Sequence, residues 1–164
     1  MQKAIFLDRD GIINKEIGDY IKNVSEFEFN LNIFKALKRL KKANYLLIII
    51  TNQGGISKGI IKKSDFDNIM SYMIEKLNLY DITIDEIYYC PHHPAITKCL
   101  CRKPMPLMIE KAIARFNIDK TKSYMIGDSP RDVQAAEKAG IKGILVNSNS
   151  DINNVITHIL EGKI

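Results

Sequence analysis

The stretch of residues 3 to 11 constrains the fold of this chain more than any other part of the sequence. A short apolar run ends there in two aspartates, Asp8 and Asp10, and Gly11 then lets the backbone turn. A continuous apolar run of this length is typical of a strand buried on both faces of a parallel sheet. Ligands of open α/β sheets bind beyond the carboxyl ends of the strands, so the two carboxylates are expected at a functional edge. Taken alone, the pattern fits a charged turn at the end of a strand equally well.

Further apolar runs of strand length alternate with amphipathic helical segments along the chain. Strands are predicted at residues 45–51, 87–90, 123–126 and 143–146, and helices from residues 30, 64, 106, 133 and 151 onward. This alternation predicts an α/β fold with a Rossmann-like parallel sheet and helices on both faces. Ser64 and Asp151 are expected to cap the second and the last helix. The 164 residues are expected to form one domain, residues 1–164.

The composition is that of an ordinary soluble protein, with 46% hydrophobic and 26% charged residues. The apolar runs are too short to span a bilayer or to form a signal peptide, so we expect a cytoplasmic protein without a membrane partner. We also expect the protein to be a monomer. The net charge of +5 is spread over many segments and indicates a mild attraction for phosphorylated anions. We expect no nucleic-acid partner, although basic clusters at residues 38–42 and 58–63 leave that alternative open.

Two polar stretches near the predicted strand ends are candidates for substrate contacts. Thr51 is followed by two side-chain amides, Asn52 and Gln53, and two glycines, a composition suited to an oxyanion cradle. The polar stretch of residues 12–25 directly follows the first strand, and we interpret it as a flap over the site, with a solvated loop as the alternative. Glu16 and Asp19 lie in this flap.

All three cysteines of the chain lie in one short segment with a histidine. Cys90, His92, Cys99 and Cys101 follow the pattern C-x-H-x6-C-x-C, which offers three thiolates and one imidazole for a closed tetrahedral zinc site. Such a site has no open position for water, so we assign Zn²⁺ a structural role; incidental buried cysteines are the alternative. Arg102 and Lys103 come next, and a loop held by zinc would present them to the site.

A second pair of acids, Asp128 and Asp132, follows the fourth predicted strand. Asp128 is the best candidate for completing an octahedral Mg²⁺ site with Asp8. Asp132 is expected either to ligate through water and orient Lys103, or simply to be an acid favoured by the helix dipole in a first turn.

Taken together in chain order, four motifs resemble those of the haloacid dehalogenase superfamily, over nearly the whole chain. The motifs are Asp8-Arg9-Asp10-Gly11, Thr51-Asn52, Lys103-Pro104 and Gly127-Asp128-Ser129-Pro130-Arg131-Asp132. The resemblance implies Mg²⁺-dependent phosphoryl transfer on a fold without a cap domain. It implies Asp8 as the nucleophile, Asp10 as the general acid and base, and Thr51 and Lys103 as the phosphoryl-binding pair. The implied Mg²⁺ ligands are Asp8, Asp128 and the backbone carbonyl of Asp10.

Within that superfamily, the glycine-bounded loop at residues 51–59 and the zinc loop resemble the D-glycero-D-manno-heptose 1,7-bisphosphate 7-phosphatases. This resemblance implies a small phosphorylated sugar as substrate, in the synthesis of nucleotide-activated heptose for lipopolysaccharide core or a surface glycan. It also implies zinc ligation by the four residues named above. The candidate substrate-binding residues are Asn52, Gln53, Gly54, Arg102, Glu16 and Asp19.

Three other functions stay open. The loop between His92 and Cys99 has a length closer to that of histidinol-phosphate phosphatases, which share the same motifs. A phosphatase acting on polynucleotide ends is a further alternative. A module that uses its zinc loop and basic surface to bind nucleic acid or a protein would not be an enzyme at all.

Overall fold

Five parallel strands form one sheet in the computed structural model, which describes residues 1 to 164. In chain order they are β1 (Ala4–Leu7), β2 (Leu46–Asn52), β3 (Glu86–Cys90), β4 (Tyr124–Gly127) and β5 (Lys142–Leu145). Their order across the sheet is β3-β2-β1-β4-β5. The chain therefore builds one half of the sheet outward from β1 and then returns to build the other half. This change of direction places a topological switch point, the usual position of a ligand site, at the carboxyl end of β1.

Five α-helices cover the two faces of the sheet. They are α1 (Ile33–Lys42), α2 (Lys63–Asn78), α3 (Leu107–Phe116), α4 (Pro130–Ala139) and α5 (Asn153–Leu160), with short 3-10 helices at Val24–Glu26 and Lys120–Lys122. Side chains of successive strand residues point to opposite faces, so alternate residues of β1 and β2 pack in two separate clusters. Ile5 and Leu7 pack with α1, α2 and α5, whereas Ala4 and Phe6 pack with α3 and α4. The predicted parallel sheet with helices on both faces is confirmed.

The strand and helix limits differ from the predicted ones by a few residues, and one predicted cap is wrong. Helix α2 begins at Lys63, after Lys62 in extended backbone, so Ser64 lies inside the first turn and does not cap it. Asp151 does hold the start of α5, because its Oδ1 accepts a hydrogen bond of 2.9 Å from the Asn153 N–H. None of the helices has the length and apolar character needed to cross a membrane.

Candidate active site

Asp8 occupies the switch point, one residue beyond β1. Its backbone N–H donates to the Ile126 carbonyl (3.0 Å), which continues the pairing with β4. Its Oδ1 accepts hydrogen bonds from the Arg9 N–H (2.7 Å) and from Lys103 Nζ (2.9 Å). Oδ2 makes no hydrogen bond, although Asp8 is only 7% exposed. One oxygen of the carboxylate is thus held by the protein and the other is free to react.

Burial and neighbouring charges make Asp8 a weak acid. Burial raises its pKa; the Lys103 charge lowers it, and the carboxylates of Asp132 and Asp10 raise it again, to about 7 overall. A group of opposite charge nearby would bring the pKa back toward its ordinary range. The ionised form of Asp8 is therefore stabilised when a cation binds beside it.

Lys103 lies beneath Asp8 and is itself buried. Its Nζ contacts three acceptors: Asp8 Oδ1 at 2.9 Å, Asp132 Oδ1 at 2.6 Å and the Ile50 carbonyl at 2.7 Å. The contact with the Ile50 carbonyl is a hydrogen bond, and the contacts with Asp8 and Asp132 are ion pairs, so the ammonium charge is compensated within the protein. The predicted proximity of Lys103 to the site is observed, and in this arrangement its charge acts on Asp8.

Asp132 combines the two alternatives that the sequence left open. Its Oδ1 pairs with Lys103, and its Oδ2 accepts a 3.0 Å hydrogen bond from the Ser129 N–H at the start of α4. Because the side chain is fully buried, its ion pair with Lys103 and its hydrogen bond with the Ser129 N–H orient Lys103 and stabilise the helix start at the same time.

Asn52 fixes the backbone of Lys103. Its Oδ1 accepts from the Lys103 N–H (3.0 Å), and its Nδ2 donates to the Lys103 carbonyl (3.2 Å). Asn52 borders the cavity, as expected of a substrate-binding residue, but its amide is already engaged with this backbone. No local sequence pattern predicts this contact, which joins residues 51 positions apart in the chain.

The carboxylate of Asp10 is enclosed by four hydrogen-bond donors from three residues. Arg9 donates from Nη2 to Oδ1 (2.7 Å) and Oδ2 (2.9 Å), and from Nε to Oδ1 (3.1 Å). Asn14 and Gln53 each donate one further bond of 3.0 Å. Burial alone would raise the pKa of Asp10, but the Arg9 charge and these hydrogen bonds outweigh it and lower the pKa. Asp10 is therefore held as an ionised carboxylate.

The carboxylates of Asp8 and Asp128 and the backbone carbonyl of Asp10 form a candidate Mg²⁺ site. Carboxylate oxygens of Asp8, Asp128 and Asp132 all lie within 4.8 Å of one another, and those of Asp132 are already engaged. Asp128 forms no side-chain hydrogen bond or ion pair, and the backbone carbonyl of Asp10 accepts no backbone hydrogen bond. Hard oxygen ligands with room for water suit Mg²⁺, so the residues present fit this ion.

Gly11 is needed for this arrangement. Its φ of +81° lies in the left-handed region, and a Cβ at this position would lie 2.1 Å from Asp128 Oδ2. Only glycine lets the turn after β1 pass so close to the Asp128 carboxylate.

A polar cavity of about 540 Å³ opens above Asp8. It is lined by Asp8, Arg9, Asp10, Glu16, Gly18, Asp19, Tyr20, Asn52, Gln53, Gly54, Arg102, Asp128, Ser129, Arg131 and Ser148. All six candidate substrate-binding residues are among them, whereas Thr51 and Lys103, the predicted phosphoryl-binding pair, are buried and do not line the cavity. Gln53 connects the buried Thr51 to the cavity, since its Nε2 donates to Thr51 Oγ1 (2.9 Å) as well as to Asp10. Sequence reasoning assigned no role to Tyr20, Ser129, Arg131 or Ser148.

The predicted flap does lie over the cavity, and the loop after β5 holds it there. Asn149 Oδ1 accepts from the Glu16 N–H (2.7 Å), and Asn149 Nδ2 donates to the Glu16 carbonyl (3.0 Å). The side chains of Glu16 and Asp19 also make local contacts, with the Gly18 N–H (2.7 Å) and with Lys22 (2.6 Å) respectively.

The cysteine and histidine side chains converge as the spacing predicts. Cys90 Sγ lies 3.1 Å from Cys101 Sγ and 3.6 Å from Cys99 Sγ, and His92 Nδ1 lies 3.3 Å from Cys101 Sγ. Tetrahedral zinc with Zn–S bonds of about 2.3 Å requires sulfur atoms roughly 3.7 Å apart, close to these distances. Burial, and then a hydrogen bond with Cys101, raise the pKa of Cys90. Burial also raises the pKa of Cys101, whereas the pKa of Cys99 is lowered by hydrogen bonds that outweigh its burial. Three thiolates this close repel one another, so a cation is needed for all three to be ionised together, and the donor set fits Zn²⁺.

This cluster connects directly to the cavity through Arg102. Arg102 Nη1 donates to the His92 carbonyl (3.0 Å) and reaches the cavity wall beside Gly54, where a Cβ would lie 3.2 Å from Nη1. A zinc ion at the cluster would thus hold the peptide that orients Arg102.

Comparison with known proteins agrees with this geometry. Residues 100–156 match the Hydrolase_like family model, described as "HAD-hyrolase-like". The chain is 43% identical to D-glycero-beta-D-manno-heptose-1,7-bisphosphate 7-phosphatase of Haemophilus ducreyi, over 86% of this chain and 80% of that protein. It is also 43% identical to D-glycero-alpha-D-manno-heptose-1,7-bisphosphate 7-phosphatase of Campylobacter jejuni, over 91% of this chain and 84% of that protein.

A solved structure shows the same overall arrangement. The D,D-heptose 1,7-bisphosphate phosphatase from B. bronchiseptica, complexed with magnesium and phosphate, superposes with a TM-score of 0.92 at 30% identity. The match covers 98% of this chain and 99% of that one.

Proposed function

Because the chain belongs to the haloacid dehalogenase superfamily and, within it, to the heptose-1,7-bisphosphate 7-phosphatase family, we propose that it removes the 7-phosphate of D-glycero-D-manno-heptose 1,7-bisphosphate. The product would feed the synthesis of nucleotide-activated heptose for lipopolysaccharide core or a surface glycan. The observation that carries the proposal is the carboxylate of Asp8, which lines a polar cavity with Oδ2 free of hydrogen bonds while Lys103 pairs with Oδ1. Relatives named for each anomer are similarly close, so the proposal covers both anomers.

In the first step, Asp8 acts as the nucleophile. Its Oδ2 forms a bond to phosphorus as the bond from phosphorus to O7 of the sugar breaks, which leaves an aspartyl-phosphate on Asp8. Lys103 offsets the charge of the reacting carboxylate, and Gln53 and Gly54 of the predicted cradle line the cavity beside it. Bound Mg²⁺ would neutralise charge on the transferred phosphoryl group, held by Asp8, Asp128 and the Asp10 carbonyl.

Asp10 is the proton carrier of both steps. It donates a proton to O7 as the sugar leaves, and it then takes a proton from the water that attacks the aspartyl-phosphate. Arg9 keeps Asp10 ionised in the arrangement described above, which suits the second step. For the first step the carboxylate must turn away from Arg9, gain a proton and face the leaving oxygen.

The zinc loop acts on the substrate side of the cavity. By holding the His92 carbonyl it positions Arg102 against the sugar or its second phosphate. Zn²⁺ has a structural role in this proposal, since all four ligands come from the protein. The monomeric state, the cytoplasmic location and the organisation of residues 1–164 as one domain stay predictions.

The test is phosphate release in the presence of Mg²⁺. Both anomers of D-glycero-D-manno-heptose 1,7-bisphosphate should be compared with histidinol phosphate and fructose 1,6-bisphosphate. We expect the highest kcat/KM for one heptose anomer, and we expect Asp8→Asn to abolish release while the protein stays folded. Preference for histidinol phosphate would replace the proposed substrate. Release from none of them, together with salt-dependent binding of DNA or RNA, would favour the nucleic-acid-binding alternative.

A further inference from the structure

Three arginines line the cavity, and they differ in the ion pairs and hydrogen bonds that their guanidinium groups form. Arg9 is buried and paired with Asp10, and Arg102 donates to the His92 carbonyl. Arg131 is exposed and forms no ion pair and no side-chain hydrogen bond. Arg102 and Arg131 therefore both lack an anionic partner in the protein, and Arg131 is the one of the three whose guanidinium makes no hydrogen bond either.

The position of Arg131 in α4 is unfavourable for a positive charge. It is the second residue of the helix, where the positive end of the helix dipole disfavours a cation by a few tenths of a kcal/mol. The neighbouring Asp132 cannot offset it, because that carboxylate is buried and pairs with Lys103. A residue that breaks a local rule without compensation in the fold is often explained by function.

The substrate of the proposed reaction creates a need for such a cation. A sugar bisphosphate brings a second phosphate into a cavity already lined by five carboxylates, from Asp8, Asp10, Glu16, Asp19 and Asp128. Lys103 is not placed to bind this second phosphate, because its ammonium group is buried, pairs with Asp8 and Asp132, and does not line the cavity.

Arg131 and Arg102 lie on opposite sides of the reacting carboxylate. Arg131 follows β4, whereas Arg102 lies beside the loop after β2, and β2 and β4 flank β1 in the sheet. Neighbouring strands are about 4.8 Å apart, so the two sides of the cavity are separated by roughly 10 Å. The hydroxyl-bearing Ser129 and Ser148 line the cavity on the same side as Arg131.

From these observations we infer that Arg131 binds the phosphate of the bisphosphate that is not cleaved, the 1-phosphate. Guanidinium is suited to this, because it presents paired N–H donors that match two phosphate oxygens. Arg131 is then a specificity-determining residue: it favours a substrate with a second phosphate over a simple phosphate monoester. The inference rests on the proposed function and adds a position for the remote phosphate.

The experiment compares heptose 1,7-bisphosphate with heptose 7-phosphate, which lacks the remote phosphate. Arg131→Gln removes the charge at similar size, Arg131→Lys restores a charge, and Lys138→Ala removes an exposed charge from the same helix outside the cavity. We expect Arg131→Gln to raise KM for the bisphosphate roughly 10- to 100-fold, the scale of a charge-assisted hydrogen bond, with kcat changed less than about threefold. For heptose 7-phosphate, KM should change less than about threefold.

Product inhibition and the Lys138→Ala control complete the test. The product heptose 1-phosphate keeps the remote phosphate, so its inhibition constant should rise with KM in Arg131→Gln and recover in part in Arg131→Lys. Lys138→Ala should match the wild type in both. Equal losses on the two substrates, or no change on either, would overturn the role of Arg131. If the wild type itself released no phosphate from the bisphosphate, the proposed function would fail and Arg131 would lose its ligand.

Discussion

Lys103 and Asp132 form an ion pair of 2.6 Å in which the two side chains are 1% and 0% exposed. The pair joins the loop that follows the zinc cluster to the first turn of α4. Lys103 in turn contacts Asp8, so the orientation of the nucleophile depends on an acid 124 positions further along the chain. Buried charges that are removed singly leave their partner without compensation, which costs more than the pair itself contributes.

The first prediction concerns this ion pair. Asp132→Ala should lower the free energy of unfolding by about 3 kcal/mol, because Lys103 keeps only Asp8 as a counter-charge and the Ser129 N–H loses its acceptor. Turnover should fall roughly 10- to 100-fold, as is usual when the group that orients a site residue is lost. Urea unfolding and phosphate release measure the two effects. Glu137→Ala, on the exposed face of the same helix, is the control, and a similar small change in both variants would contradict the assigned role.

Gly11→Ala should damage the Mg²⁺ site beyond the cost of the backbone conformation. The added Cβ would lie 2.1 Å from Asp128 Oδ2, so the carboxylate must move away. We expect the Mg²⁺ concentration for half-maximal activity to rise roughly tenfold or more. Gly59→Ala is a matched control, because Gly59 has a φ of +68° and open space around its Cα.

The two glycine variants should share the cost of the backbone conformation and differ in the Mg²⁺ requirement. Both place a side chain in the left-handed region, which costs about 1–2 kcal/mol of stability. Thermal unfolding should therefore show a loss in both, and a larger one in Gly11→Ala because its Cβ also displaces the Asp128 side chain. If Gly59→Ala changed the Mg²⁺ requirement as much as Gly11→Ala, the contact with Asp128 would not be the cause.

Removal of a zinc ligand should reduce stability and substrate recognition together. Cys99→Ser leaves three ligands, and the loop then loses the constraint that fixes the His92 carbonyl and, through it, Arg102. We expect loss of bound zinc by elemental analysis, a lower Tm and a raised KM for the bisphosphate. Lys98→Ala, an exposed change in the same loop, should keep zinc and activity. A Cys99→Ser protein with normal zinc content and Tm would exclude a structural zinc.

The parts of the site that follow a strand end were predictable from sequence, whereas the contacts between loops were not. Asp8 and Asp128 follow apolar runs of strand length, and parallel strands bring such positions to one edge whatever the details of the loops. The four zinc ligands were recognisable because they lie within a dozen residues. The loops themselves are ordered by contacts that no local pattern encodes.

Contacts made by two asparagines and one arginine show why the loop contacts could not be predicted from the sequence. Asn52 binds the backbone of Lys103 and Asn149 binds that of Glu16, across separations of 51 and 133 residues. Arg9 neighbours Asp10 in sequence, but whether adjacent side chains point to the same side depends on the turn after β1. The start of α2 was misplaced for a similar reason, since a serine near a helix start is a frequent but not an obligatory cap.

The last prediction follows from the pKa of Asp8, which is raised to about 7 in the protein without metal. Burial disfavours the charged form, so near pH 6 most of the metal-free protein carries a proton on Asp8, and near pH 8 most of it does not. Mg²⁺ requires the ionised carboxylate, so binding must release that proton. We expect release of nearly one proton per Mg²⁺ at pH 6, little at pH 8.5, and an affinity that increases with pH between these values. Calorimetric titrations in two buffers of different ionisation enthalpy measure the number directly. Asp8→Asn should bind Mg²⁺ without this proton, and equal release at both pH values in the wild type would show that Asp8 is already ionised before the metal binds.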